Sequence, residues 1–273
     1  MQNSRKITQS FGGEKTSLYG RDIVKAKKFL GQHFLKDEHI AQRIVSALPS
    51  SFDAVVEVGP GMGVLTKYLI LCGFSNFKVV EIDSESVCYL KNHYPELDIV
   101  EGDFLKLSLK DIFHGTCAVI GNFPYNISSQ ILFRVYEQRN DVGSVVGMFQ
   151  KEVAERVTAK PGSKTYGILS VLLGAFYAAE YLFTVDENVF NPPPKVKSAV
   201  IRLTRNEVAS LDCDEDLFRK VVKAAFNQRR KTLRNALKSA GYDVNKVSEV
   251  VLCKRAEQLS VEDFIGITKA IEQ

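Results

Sequence analysis

Residues 54–66 constrain this chain most. The apolar run Ala54-Val55-Val56-Glu57-Val58 has strand character and passes directly into Gly59-Pro60-Gly61-Met62-Gly63. A helical stretch carrying Leu65, Leu69 and Ile70 follows. A buried strand feeding a glycine turn and then a helix belongs to a parallel sheet covered on both faces, so an α/β fold is expected. The glycines also let backbone come close to a ligand at the helix start. The spacing is G-x-G-x-G, with an acid two residues before the first glycine. That differs from the G-x-G-x-x-G of dinucleotide sites, and the lysine and hydroxyl of a P-loop are missing.

Three further strands each end in a polar residue suited to a ligand. Lys78-Val79-Val80-Glu81 places an acid 22 residues after Gly59, where a carboxylate can accept hydrogen bonds from two ribose hydroxyls. Asp98-Ile99-Val100-Glu101 leads into Gly102-Asp103-Phe104, in which Asp103 can accept from an adenine amino group and Phe104 can flank its ring. Cys117-Ala118-Val119-Ile120 leads into Gly121-Asn122-Phe123-Pro124-Tyr125-Asn126. There an amide, a fixed turn and an aromatic ring stand within four residues. The set suits a planar amine on a flat ring: the Asn122 amide oxygen and a backbone carbonyl accept its protons, and Tyr125 stacks on the ring.

Later segments extend this pattern. Ser128–Arg139 and Gln150–Thr158 read as helices, and Val145–Phe149 and Ser198–Leu203 as strands. Ile168–Tyr177 is apolar throughout, and periodicity does not separate helix from strand there. Phe190-Asn191-Pro192-Pro193-Pro194-Lys195-Val196 reads as a stiff elbow that fixes Phe190. Beyond about residue 206 strand patterns stop. Leu217–Ser239 and Val244–Arg255 read as helices, and Ser260-Val261-Glu262-Asp263 as the capped start of another. The expected division is a flexible basic arm over 1–22, a catalytic domain over 23–205 and a small all-α domain over 206–273.

Charge narrows the partner. The net charge is only +4, yet residues 219–238 hold eight Lys and Arg and no acid, and residues 1–36 hold eight against two acids. Two basic segments on an acidic remainder point to a polyanion gripped at defined places, with Lys27, Lys28, Arg229, Arg230, Lys231 and Arg234 as candidate contacts. No apolar run nears the roughly 20 residues of a membrane span. The N-terminus shows no signal-peptide core. Five scattered cysteines form neither a disulfide framework nor a zinc site, so a cytoplasmic protein without a metal is expected.

Five stretches in order carry a family resemblance: Gly-Gln-His-Phe-Leu at 31–35, Glu-Val-Gly-Pro-Gly at 57–61, Asn-Phe-Pro-Tyr-Asn-Ile-Ser at 122–128, Phe-Asn-Pro-Pro-Pro-Lys-Val at 190–196 and Asn-Gln-Arg-Arg-Lys-Thr-Leu-Arg-Asn at 227–235. Over residues 25–270 the chain resembles the small-subunit ribosomal RNA adenine dimethyltransferases of the kasugamycin-sensitivity type. The resemblance implies a Rossmann-like sheet with helices on both faces and S-adenosylmethionine as methyl donor. It implies N6,N6-dimethylation of two adjacent adenines near the 3′ end of small-subunit RNA, by a monomer acting within a pre-30S particle. It assigns the donor to His33, Leu35, Gly59, Gly61, Glu81, Asp103 and Asn122, and the base to Asn122, Phe123, Tyr125 and Phe190. The family commonly has Asn at position 33 and Leu at position 123. The large-subunit adenine dimethylases share the N-terminal motifs but not the proline elbow or the basic helix. A ribosome-assembly factor, binding more than catalysing, is the remaining alternative.

Overall fold

A computed structural model of the protein describes residues 24–272. A two-residue strand β1 (Phe34–Leu35) precedes α1 (Glu38–Ser46), whose start is capped by the Asp37 carboxylate accepting from Ile40 N at 3.0 Å. Then follow β2 (Ala54–Val58), α2 (Thr66–Leu71), β3 (Asn76–Glu81), α3 (Ser84–His93), β4 (Asp98–Glu101), β5 (Cys117–Asn122), α4 (Ser128–Glu137), β6 (Val142–Gln150) and α5 (Lys151–Val157). The sheet section closes with α6 (Ile168–Gly174), β7 (Tyr177–Val185), β8 (Phe190–Asn191) and β9 (Ser198–Arg205). Helices α7 (Glu215–Asn227), α8 (Leu233–Ser239), α9 (Glu249–Leu252) and α10 (Val261–Glu272) end the chain.

Seven strands form one sheet in the order β4-β3-β2-β5-β6-β9-β7. The first five are mutually parallel, and β9 runs antiparallel to both of its neighbours. Strand order reverses between β2 and β5, and a crevice at the carboxyl ends of strands is where such a sheet takes its ligand. β2, β5 and β6 are apolar because both of their faces are covered. One apolar cluster lies towards α4, α5 and α6, and a second towards α1 and α2.

The apolar stretch at 168–177 divides into α6 and the first residue of β7. β7 itself was not legible: it is an edge strand, mostly half-buried or exposed, with little alternation. The expected helix over 217–239 is broken. Asn227 ends α7, residues 228–231 turn, and α8 starts at Leu233. In an unbroken helix the buried stripe through Phe218, Val222 and Ala225 would next reach Arg229. The break leaves Arg229 half-exposed and sends Leu233 and Leu237 into the core instead. The stretch 244–255 likewise contributes only the four residues of α9. α10 has its capping box, with Ser260 Oγ accepting from Asp263 N at 3.1 Å and Asp263 accepting from Ser260 N at 3.0 Å. The terminal helices share an apolar cluster with α6 through Phe218, Val221 and Phe264, so their core is continuous with that of the sheet. The basic arm over 1–22 lies outside the described residues.

Candidate active site

A cleft open to solvent runs along the carboxyl ends of β2, β3, β4 and β5. Its floor is the glycine turn after β2. Gly59 and Gly61 both take left-handed backbone, and a Cβ on Gly61 would stand 2.8 Å from the Phe34 ring. Only glycine permits that turn beneath that ring.

Glu81 ends β3 with a buried carboxylate. It accepts from Ile82 N and Asp83 N, both at 2.9 Å, and from Gly61 N at 3.1 Å. Burial raises its proton affinity against those backbone donors. Asp103 lines the same cleft and accepts from Leu105 N at 3.0 Å. Ile82, Phe104 and Leu105 supply apolar walls beside the two acids. Under the turn, Glu57 is wholly buried and accepts from the Thr66 hydroxyl at 2.6 Å. Burial pushes its carboxyl up to about 8.

Across the cleft, the Asn122 amide donates through Nδ2 to the His33 carbonyl at 2.9 Å. A carbonyl only accepts, so the amide orientation is fixed and Oδ1 remains free as an acceptor. The Phe123 ring is buried against Phe149, with centroids 4.9 Å apart, which leaves its backbone to act at the cleft. Tyr125 is anchored by a hydrogen bond to the Ser198 hydroxyl. Burial raises the tyrosine pKa.

The expected site residues divide on this geometry. His33, Gly59, Gly61, Glu81, Asp103, Asn122, Phe123 and Tyr125 all line the cleft. Leu35 and Phe190 do not. They pair across β1 and β8, and both side chains are buried in the cluster beneath α1. The second stacking face expected from Phe190 is therefore not presented; the ring beside Tyr125 is that of His33. Lys27, expected to face phosphates, is instead ion-paired with Asp83 and, at 3.4 Å, with Glu85. Arg234 is paired with Glu249, and Arg229 lies 3.9 Å from Glu257 and donates to the Lys164 carbonyl. Lys28, Arg230 and Lys231 are exposed.

The sequence around residues 25–37 reads as a segment folded over a ligand, but the contacts that latch it went unread. Gln32 Nε2 donates to Asp83 at 3.2 Å beside the Lys27 ion pair, and Asn126 Nδ2 donates to the Phe29 carbonyl at 3.2 Å. These contacts hold residues 27–33 over the cleft. Burial alone would raise the Asp83 pKa, but its hydrogen bonds from Lys27 and Gln32 hold the carboxyl below the usual range. Its position after Glu81 was the one signal, and that reads equally well as the cap it also provides to Glu85 N.

A glycine cradle, two strand-end acids and an asparagine-aromatic corner on this sheet make the protein a Rossmann-like S-adenosylmethionine-dependent methyltransferase. The donor set fits that group: open backbone at Gly59 and Gly61, a carboxylate for ribose hydroxyls and an acid between apolar walls for adenine. The model of the ribosomal RNA adenine dimethylase family matches residues 23–273. A protein named ribosomal RNA small subunit methyltransferase A from Cytophaga hutchinsonii is 59% identical over 252 residues, 91% of this chain and 98% of its own. Its namesake from Flavobacterium johnsoniae is 58% identical over 253 residues, 91% and 97% of the two chains. Among solved structures, a dimethyladenosine transferase from Plasmodium falciparum superposes with TM-score 0.72 at 28% identity, covering 86% of this chain and 96% of its own. The 23S rRNA methyltransferase ErmE shares the fold, with TM-score 0.67 at 24% identity, covering 88% of this chain and all of its own. The chain belongs to the ribosomal RNA adenine dimethylase family, and it is an enzyme. Among the described residues no helix is long and apolar enough to cross a membrane, and no cluster of three metal-ligating side chains occurs.

Proposed function

We propose that the enzyme dimethylates N6 of two adjacent adenines in a loop near the 3′ end of small-subunit ribosomal RNA, as a monomer acting on a pre-30S particle in the cytoplasm. The observation that carries this reading is the free Oδ1 of Asn122, fixed by the His33 carbonyl beside an anchored tyrosine ring. The names of the relatives favour the small subunit over the large one.

S-adenosylmethionine supplies an electrophilic methyl carbon. On this reading Glu81 holds the ribose, Asp103 the donor's adenine, and Gly59 and Gly61 allow its close approach. His33 acts on the donor side through the backbone of the segment over the cleft, and Leu35, buried beneath α1, anchors that segment. Asn122 Oδ1 and the Phe123 carbonyl accept the two N6 protons of the target base. The N6 lone pair is delocalised into the ring, and these acceptors favour its localisation. Both hydrogen bonds strengthen as N6 gains positive charge, which stabilises the transition state. Tyr125 stacks on the base, and N6 releases its proton to water. The base must be unpaired or turned out of its helix to reach the cleft. Residues 23–205 form the catalytic unit. Residues 206–273, with Arg229, Arg230, Lys231 and Arg234, form the unit that meets RNA phosphates.

Mass spectrometry of RNA from unmethylated small subunits and from large subunits, each incubated with the enzyme and labelled S-adenosylmethionine, tests this. Two adjacent adenines each carrying two labelled methyls is the expected result. Label confined to large-subunit RNA, or no label, would overturn it.

A further inference from the structure

The imidazole of His33 stands against the ring of Tyr125, with centroids 5.2 Å apart and planes inclined by 30°. His33 Nδ1 lies 2.8 Å from the Pro192 carbonyl, which can only accept, so Nδ1 carries the proton. The ring is thus tethered to the proline elbow while its own backbone carbonyl orients Asn122. Two rings that flank a third stand about 7 Å apart, twice the roughly 3.5 Å contact distance between stacked carbons. At 5.2 Å nothing fits between His33 and Tyr125. Tyr125 is pinned by Ser198 below it, and Ser128 Oγ donates to the Tyr125 carbonyl at 3.1 Å. Each ring is held by one side-chain hydrogen bond, but that of His33 is exposed to water and that of Tyr125 is part-buried, so His33 is the ring that yields.

We infer that the His33 side chain is a placeholder for the target base. This rests on the reading of the cleft as an adenine N6 site. In the free enzyme the imidazole covers the stacking face of Tyr125. When the adenine enters, the bond to Pro192 breaks, the imidazole withdraws, and the base takes the tyrosine face beside Asn122 Oδ1. The side chain therefore controls entry of RNA, not the hold on S-adenosylmethionine. The bond to Pro192 also couples base entry to the elbow that carries Phe190.

The test is steady-state kinetics on unmethylated small ribosomal subunits, with KM measured separately for subunits and for S-adenosylmethionine. Two variants are compared with wild type: His33→Ala, which removes ring and tether, and His33→Phe, which keeps a ring without the tether. Displacing a stacked, hydrogen-bonded ring costs about one stacking contact and one hydrogen bond, so His33→Ala should lower KM for subunits by roughly five- to a hundredfold. His33→Phe should lower it by less, and KM for S-adenosylmethionine should move less than twofold in both. A rise in subunit KM would make His33 a wall of the base pocket and overturn the inference. A rise confined to the donor KM, or no change in either, would overturn it too. Failure of the parent reading shows separately, as wild-type enzyme that labels no adenine. His33→Phe keeps the contact area and answers the question if the alanine variant does not fold.

Discussion

The two halves of the cleft are prepared to different degrees. On the donor side, Glu81 is held by three backbone N–H groups and the glycine turn is shaped by the chain alone. On the base side, a tethered imidazole covers the tyrosine face and Phe190 is buried beneath α1. One half is built before its ligand arrives; the other is closed by the protein's own groups. The difference follows from origin. The donor half comes from consecutive strand ends of one parallel sheet, where hydrogen bonds of the ladder set each position. The base half is assembled from residues 33, 122–125 and 190–198, segments far apart in sequence that meet through the short β1–β8 ladder and a few side-chain hydrogen bonds.

The sharpest way to break this comparison is Asn122→Ala. It removes the one base-side group that already points correctly. Removing a preorganised transition-state hydrogen bond of this kind costs on the order of 100- to 1,000-fold in kcat. Donor binding should survive, because Glu81, Asp103 and the glycines are untouched. Equilibrium binding of S-adenosylmethionine beside single-turnover kinetics checks both halves at once. A fall in donor affinity as large as the fall in rate would mean that the halves are not separable.

Glu81→Gln is the converse. Hydrogen bonds from hydroxyls to a charged acceptor are worth about 1.5–3 kcal/mol each, so donor affinity should fall roughly 10- to 100-fold. Calorimetry with S-adenosylmethionine measures the fall, and affinity for small subunits should hardly change.

The same division explains what the sequence disclosed. Glu81, Asp103 and Asn122 were legible because each follows a short apolar run, and a strand's carboxyl end is set by local pattern. The capped start of α10 was legible for the same reason. Lys27 was misread because its partner Asp83 lies 56 residues away, and charge alone does not distinguish a latch from a phosphate contact. Phe190 was misread because the proline elbow shows stiffness but not direction; its pairing with Leu35 turns the ring inward. The helix break at 228–232 was missed because the apolar spacing continues through it, and only the need to keep Arg229 out of the core betrays it.

Beneath the donor half, Glu57 gives a prediction in stability. Its folded pKa of about 8 stands above the 4.5 of an ordinary glutamate. The protonated folded form is thus favoured: the stabilisation is complete below about pH 4.5 and is lost as pH rises through 8. Each pH unit inside that window costs up to about 1.4 kcal/mol. Denaturant melts at about pH 5 and about pH 7 should differ by about 2 kcal/mol more in wild type than in Glu57→Gln, which stays neutral throughout. Equal pH dependence in the two proteins would show that the donor half is not held by a neutral buried acid.

The smallest expected effect lies furthest from the cleft. Arg230 and Lys231 are exposed in the turn between α7 and α8, while Arg229 and Arg234 are engaged with Glu257 and Glu249. If the base half is opened by RNA and not prepared in advance, part of the binding must come from phosphates held elsewhere, and these two exposed side chains are placed to hold them. Replacing both with Ala should weaken subunit binding several-fold at moderate salt. It should also reduce the slope of log affinity against log salt by about 2, roughly one for each phosphate that is no longer neutralised. Donor affinity should not respond. Replacing Arg229 and Arg234 instead should change the slope less, because the internal acids already take up their charge. If the two pairs gave equal slopes, the turn would act as a diffuse positive field, and free side chains would hold no advantage over paired ones.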